Sequence, residues 1–335
     1  MMRSPTIPPL RSGGIITNYN CPSACAHCLY ASSPNRKSDY ILRDRVLEIA
    51  AELKSRGIRS IHIGGGEPFL RLESLTEVIK GCTGEGILIQ YVETNCAWFT
   101  SPEKAISILE ALKKAGLSTL LISISPFHNS YIPFGKTQGV MDACGVTGME
   151  VFPWVSGFTP DLRSFDPGRT HSLDEYRKKF GSRYLREIPE RYWITPRGRA
   201  LYFLRPFLKK SPAEEIISSQ HGPCGELYDT SHFHVDLYGN YIPGLCSGFS
   251  VPIESLGQGV DPDRFPWIYA GMTEGIRGIT ELAYDKMGYR LKKDRYVSKC
   301  EICQEVRAAA VFDGGYQSPD LAPAGFYREI GTFVE

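Results

Sequence analysis

The sequence predicts an α/β protein: a partial barrel of six parallel β/α units over residues 1–200, followed by a smaller unit over residues 201–335. Three observations predict it. Strand-like and helix-like segments alternate about six times in the first two hundred residues, the pattern of a parallel sheet joined by right-handed crossovers. A complete eight-unit barrel needs roughly 250 residues, so an open six-unit barrel fits the length better. From about Ala200 the alternation stops, and glycine, proline and aromatic residues become frequent.

Taken in order, residues 12–20 read as a first strand that runs into a cysteine-rich loop. Leu42, Val46, Ile49 and Leu53 share one face of a helix over 42–56, and Gly57 suits its C′ position. Residues 58–63 form the second strand, ending in Gly64-Gly65-Gly66-Glu67-Pro68. A helix over 70–80 leads to a third strand over 87–93, ending in Thr94-Asn95-Cys96. Ser101 as N-cap and Pro102 at N1 open a third helix, which Ala105, Ile108, Leu109 and Leu112 bury and Gly116 stops. A strand over 118–125, a helix over 136–144 and a strand over 149–155 follow. Ser172-Leu173-Asp174-Glu175 is a capping box, and Tyr192-Trp193-Ile194 reads as a sixth strand. Beyond the boundary, residues 233–243 read as a hairpin turning at Gly239-Asn240.

Composition narrows the partners. Lys+Arg 38 against Asp+Glu 37 leaves a net charge of +1, which is no electrostatic footprint for nucleic acid or an anionic membrane. No apolar run approaches the length of a membrane span, and residues 1–14 lack the apolar core of a signal peptide. Ten cysteines in 335 residues, clustered as they are, point to metal in a reducing cytoplasm rather than to a disulfide scaffold.

Two cysteine sets carry the chemistry. Cys21, Cys25 and Cys28 have the spacing C-x3-C-x2-C with no fourth cysteine nearby. Three thiolates on one tight loop hold three irons of a cubane [4Fe-4S] cluster and leave the fourth iron for an outside ligand. A zinc knuckle and a redox pair are the alternatives, although zinc normally takes a fourth protein ligand. The second set is Cys224 and Cys246, flanking the hairpin, with Cys300 and Cys303. Four thiolates saturate either an iron–sulfur cluster or a structural zinc. His232 and His234 share one strand face and read as a solvated or hydrogen-bonded pair rather than as a metal site.

The first spacing, with Gly65-Gly66-Glu67-Pro68 following the next strand, resembles the radical S-adenosylmethionine (SAM) enzymes. That resemblance implies a partial (β/α)6 TIM-like barrel. It implies that SAM chelates the unique iron of a [4Fe-4S] cluster and is cleaved to a 5′-deoxyadenosyl radical, which abstracts hydrogen from a substrate. Gly65, Gly66 and Glu67 match the element that binds the methionyl ammonium, while Asn95, Ser123 and Ser125 stand where related enzymes bind carboxylate and ribose. Many members carry glycine at the position of Cys96 and aspartate at that of Ser125. Cys96 is a candidate hydrogen-atom donor or a small buried thiol; His128 is a candidate pocket residue or a structural histidine.

Gly198-Arg199-Ala200, the hairpin and Cys300-Glu301-Ile302-Cys303 together resemble the SPASM and twitch extensions of that family. Four cysteines suit the shorter twitch form with one auxiliary [4Fe-4S] cluster. The arrangement resembles that of a twitch dehydrogenase acting on an aminocyclitol. The implied activity is a net oxidative modification, dehydrogenation or bond formation within a peptide, with the auxiliary cluster accepting an electron. A peptide or small-molecule substrate and a reductant such as flavodoxin or ferredoxin are the implied partners. A redox-neutral rearrangement using Cys96 and a non-catalytic electron carrier are the alternatives. The oxidative reading also needs a general base, which the sequence leaves unnamed.

Overall fold

The computed structural model describes residues 4–192, 194–315 and 317–331. An eight-stranded sheet organises them. β1 (Gly13–Ile16), β2 (Ser60–Gly64), β3 (Leu88–Thr94), β4 (Thr119–Ile122) and β5 (Glu150–Pro153) lie side by side and parallel. Helices α1 (Arg43–Ser55), α2 (Leu72–Gly84), α3 (Pro102–Ala115), the single turn α4 (Pro126–Asn129) and α5 (Phe134–Thr147) make the crossovers. The helical periodicity explains their burial. On α1 the buried residues are Val46, Ile49, Ala50 and Leu53, and each large apolar side chain so placed contributes about 1.5–3 kcal/mol. The Ser101 hydroxyl caps α3 by accepting from Lys104 N, and Gly116 ends it at φ +110°. The capping box appears as the sequence predicts it, on α6 (Leu173–Phe180).

Among the described residues the sheet does not continue past β5, and Tyr192 and Ile194 belong to no sixth strand. Tyr192 N closes the helix Tyr184–Arg191 by donating to Ile188 O, and its ring packs 3.9 Å from that of Phe158. Ile194 has no strand pairing, and Trp193 lies outside the described residues. A tyrosine satisfied by ring packing, as Tyr192 is, suits a strand by composition without needing a ladder partner. The sheet grows at the other edge instead. β6 (Phe233–Asp236) pairs parallel with β1, and β7 (Asn240–Ile242) and β8 (Val251–Pro252) add antiparallel strands. The order is therefore β5-β4-β3-β2-β1-β6-β7-β8. The predicted hairpin is present, and it extends the barrel sheet itself.

Two further helices lie against the cysteine-bearing segments: α7 (Arg199–Leu204), whose first residue hydrogen-bonds the Cys28 carbonyl, and α8 (Lys299–Phe312), which carries Cys300 and Cys303. Among the described residues no helix is long and apolar enough to cross a membrane. Replacing the cap of α3, Ser101→Ala, is expected to lower stability by about 1 kcal/mol. A urea titration checks it: the midpoint should fall with the slope unchanged.

Candidate functional site

Parallel strands all deliver their carboxyl ends to one side, and the cysteine loop starts there. Cys21, Cys25 and Cys28 line an open cavity of about 1200 Å³ together with Gly65, Gly66, Asn95, Ser123 and His128. The loop is held by its own backbone, with Cys28 N donating to Cys25 O at 3.0 Å and Cys21 N to Ser33 O at 3.2 Å. Arg199, at the start of α7, braces it from outside. Its guanidinium donates to Cys25 O at 3.0 Å and Ser32 O at 2.9 Å, and its amide donates to Cys28 O.

The donor set fits an iron–sulfur cluster. Burial pushes the Cys21 thiol up to about 12, with Glu67 adding to it, and burial also raises Cys25. Thiolates there need a cation to hold them. Two N–H groups already point at sulfur: Asn95 Nδ2 to Cys21 at 3.4 Å and Ser32 N to Cys28 at 3.3 Å. The buried Ser32 hydroxyl has no hydrogen-bond partner among the described residues. No fourth cysteine lines this cavity among the described residues. The Cys25 sulfur also lies within 4.8 Å of ring nitrogens of His27 and His128.

The glycine-rich loop packs against the stem of the cysteine loop. A Cβ on Gly66 would stand 2.0 Å from Asn20 O, and one on Gly65, at φ +153°, would stand 2.7 Å from Asn18 Oδ1. Gly66 N donates to Asn18 O at 2.7 Å, and Asn18 Nδ2 donates to Glu67 O at 3.1 Å. The Glu67 side chain does something other than face the cavity. It is 1% exposed, and its carboxylate accepts from Thr94 Oγ1 at 2.8 Å, Asn95 N at 2.7 Å and Phe69 N at 3.1 Å. A carboxylate spent on three internal donors ties β2 to the end of β3, so the cavity receives Gly65 and Gly66 without it.

The remaining predicted residues divide. Asn95 and Ser123 line the cavity; Ser125 does not. Ser125 is fully buried as the cap of α4, its hydroxyl 2.7 Å from His128 Nδ1. His128 faces the cavity beside His27 and Trp154, and burial lowers it to about 4, which keeps it neutral. Cys96 is fully buried and is not among the cavity-lining residues. Its backbone sits at φ +65°, the left-handed region where glycine is free of cost.

The residue missed from sequence is Glu93. It lines the cavity from the third strand, and its carboxylate has no hydrogen bond or ion pair among the described residues. Burial raises it to about 7. Among the described residues no Lys or Arg lines the cavity to answer it. Its only sequence signal is an acidic residue closing a strand immediately before Thr94-Asn95-Cys96.

The other four cysteines meet in a second pocket of about 510 Å³, with Arg197, Glu226, Lys299 and Arg307. Cys300 and Cys303 stand one turn apart on α8, which puts both on one face. Arg307 Nε donates to Cys303 Sγ at 3.3 Å, Arg197 lines the pocket with Cys300, and Cys224 Sγ donates to Glu226 at 3.0 Å. Burial pushes the Cys246 thiol up to about 12 while the Arg197 guanidinium pulls it down. Three cations around four thiols suit bound thiolates, in an iron–sulfur cluster or around zinc.

Gly198 joins the two sites. The Gln304 side chain of α8 brackets it, accepting from Gly198 N at 2.9 Å and donating to Gly198 O at 3.1 Å. Gly198 has φ +56°, and a Cβ there would stand 2.0 Å from Leu29 O, next to Cys28. Gly198→Ala is therefore expected to cost about 2 kcal/mol or more, read as a lowered melting temperature. Iron retained after anaerobic reconstitution should fall with it.

Glu93 also sets a pH dependence. Its folded pKa of about 7 lies above the usual glutamate value of 4.5, so between those pH values the folded chain binds more protons than the unfolded one. Stability falls as pH rises through that window and is level above it. Glu93→Gln should remove part of that fall in melting temperature between pH 5 and pH 8; Glu67, raised similarly, keeps the remainder.

Among solved structures the chain is similar to native anSMEcpe with bound AdoMet, at 16% identity over 69% of this chain and 74% of that one, TM-score 0.39. It is similar to BtrN in complex with AdoMet and 2-DOIA, at 14% identity over 73% and 75%, TM-score 0.37. It is also similar to Streptococcus suis SuiB bound to S-adenosylmethionine, at 13% identity over 70% of this chain and 60% of SuiB, TM-score 0.34. None of the curated proteins matches it. The family model of the Radical SAM superfamily matches residues 15–139, a span that takes in the three cysteines, the glycine-rich loop and the ends of β2, β3 and β4. Residues 15–139 of the chain thus match the Radical SAM superfamily over the segment that holds the cysteine loop and the glycine-rich loop.

Proposed function

We propose that this enzyme reductively cleaves SAM and uses the resulting radical for a net two-electron oxidation of a peptide or small molecule. The observation that carries the reading is one cavity lined by Cys21, Cys25, Cys28, Gly65, Gly66 and an unpaired Glu93. Residues 1–200 form the catalytic unit in this reading and residues 201–335 the auxiliary one. Cys21, Cys25 and Cys28 would hold one [4Fe-4S] cluster, and Cys224, Cys246, Cys300 and Cys303 a second. When bound, the first cluster with SAM supplies a radical that takes a hydrogen atom from substrate, and the second supplies a sink for the electron left behind.

The chain's own residues do the rest. The Gly65 and Gly66 backbone offers acceptors to the ammonium of SAM, and Asn95 and Ser123 offer hydrogen bonds to its polar groups. Glu93 takes the proton that leaves the oxidised substrate, so that one C–H hydrogen departs as an atom and the second hydrogen as a proton. Its raised pKa suits a base working near neutral pH. Cys96, the donor that a redox-neutral reaction would use, is buried outside the cavity, which favours the oxidative reading. A ferredoxin or flavodoxin is the reductant proposed.

Anaerobic reconstitution with iron and sulfide should give about eight irons per chain and 5′-deoxyadenosine on reduction with SAM. About four irons with zinc present would remove the electron-acceptor role. Glu93→Gln should still form 5′-deoxyadenosine while product falls by about 10²–10⁴. Equal loss of both would instead place Glu93 in SAM binding.

A further inference from the structure

Three histidines from two distant segments of the sequence converge at the sheet. His62 on β2 and His234 on β6 both stand opposite Gly14 of β1 in the sheet register. Gly14 makes their meeting possible, because a Cβ there would lie 2.5 Å from His62 Nε2. The two Nε2 atoms come within 2.9 Å, and His232 closes the group, with one nitrogen of each ring within 4.8 Å of the others. His232 and His234 line the cavity; His62 is 2% exposed behind them.

His234 Nδ1, the nitrogen turned away from His62, lies 2.7 Å from the Tyr30 hydroxyl. Such outer contacts orient imidazoles that bind metal through the opposite nitrogen. The rings are also fixed by packing, His62 stacking on Tyr91 at 5.1 Å and on His232 at 5.3 Å, with His234 crossing both His62 and His232. Two nitrogens bound cis to one ion at about 2.1 Å lie roughly 3.0–3.4 Å apart, close to the 2.9 Å between His62 and His234, and the His232 nitrogen, within 4.8 Å of both, has only a short way to move in. Among the described residues the nearby cavity wall has one carboxylate, Glu93, and no Lys or Arg to repel a cation.

We propose that His62, His232 and His234 bind a single divalent first-row cation of the Zn²⁺ type, with an open coordination position facing the cavity. Three imidazoles and a vacant fourth place are the pattern of a catalytic rather than a structural ion. The vacant place takes an oxygen or nitrogen donor of the substrate. The site shares no ligand with either cysteine set, although it opens into the cavity that Cys21, Cys25 and Cys28 line.

The test uses the enzyme with its iron–sulfur clusters reconstituted, so that the cysteines are occupied, and Zn²⁺ alone as the probe. After anaerobic equilibration with Zn²⁺ and removal of the excess, the unaltered enzyme should retain one zinc more per chain than His232→Ala or His234→Ala. Zinc-edge absorption should show nitrogen or oxygen at about 2.0–2.1 Å and no sulfur near 2.3 Å. Tyr30→Phe should weaken zinc binding about tenfold or more. His232 is the half-buried member, so its variant decides if the His234 variant fails to fold. Equal zinc in all forms, no zinc in any, or a sulfur shell would overturn the proposal and leave the histidines a hydrogen-bond relay.

Discussion

The buried carboxylate of Glu67 is the constraint on which the catalytic face depends. One side chain accepts from Thr94 and Asn95 at the end of β3 and from Phe69 beyond β2. Its own backbone carbonyl receives Asn18 from the stem of the cysteine loop. Three loops that carry the chemistry are thereby pinned to one point. Desolvation raises the carboxyl to about 7 and the three donors pull it back, so the group is held by geometry against its own hydration. Hydrogen bonds to a charged group contribute about 1.5–3 kcal/mol each, enough to order loops that the sheet alone leaves free.

A second constraint runs outward from that point. Arg199 holds the carbonyls of Cys25 and Ser32, Gly198 touches Leu29, and Gln304 clasps Gly198 from the helix that bears Cys300 and Cys303. The two thiol sets are thus mechanically connected through two residues of linker. Neither loop can move without disturbing the other, because each contact is a hydrogen bond or close approach between buried groups.

The thiol sets differ in electrostatics. Arg197, Lys299 and Arg307 surround the four-cysteine pocket. Among the described residues the cavity with three cysteines is lined by no Lys or Arg and by the unpaired Glu93. The first arrangement stabilises negative charge that stays in place. The second leaves room for positive charge to enter with a ligand, which suits a sulfonium cofactor, an ammonium group or a metal ion. The cationic pocket and the anionic cavity thus divide the work that the proposed reaction needs.

Local signals determined a good deal. The strands before Cys21 and Gly65, the capped helix after Ser101, the capping box at Ser172 and the hairpin at Gly239 all depend on neighbours within a few residues, and spacing alone reveals such features. Other features depend on which strand lies beside which. The sequence predicts a sixth strand after β5, whereas β6 joins the edge at β1, and that pairing is what brings His234 to His62 across Gly14. The direction in which Glu67 and Ser125 spend their hydrogen bonds, and the isolation of Glu93, are equally hidden from sequence. A side chain's partners come from segments tens to hundreds of residues away, and the cost of burying a polar group without one is settled only when those segments meet. Sequence named the donors; packing chose which of them face the cavity.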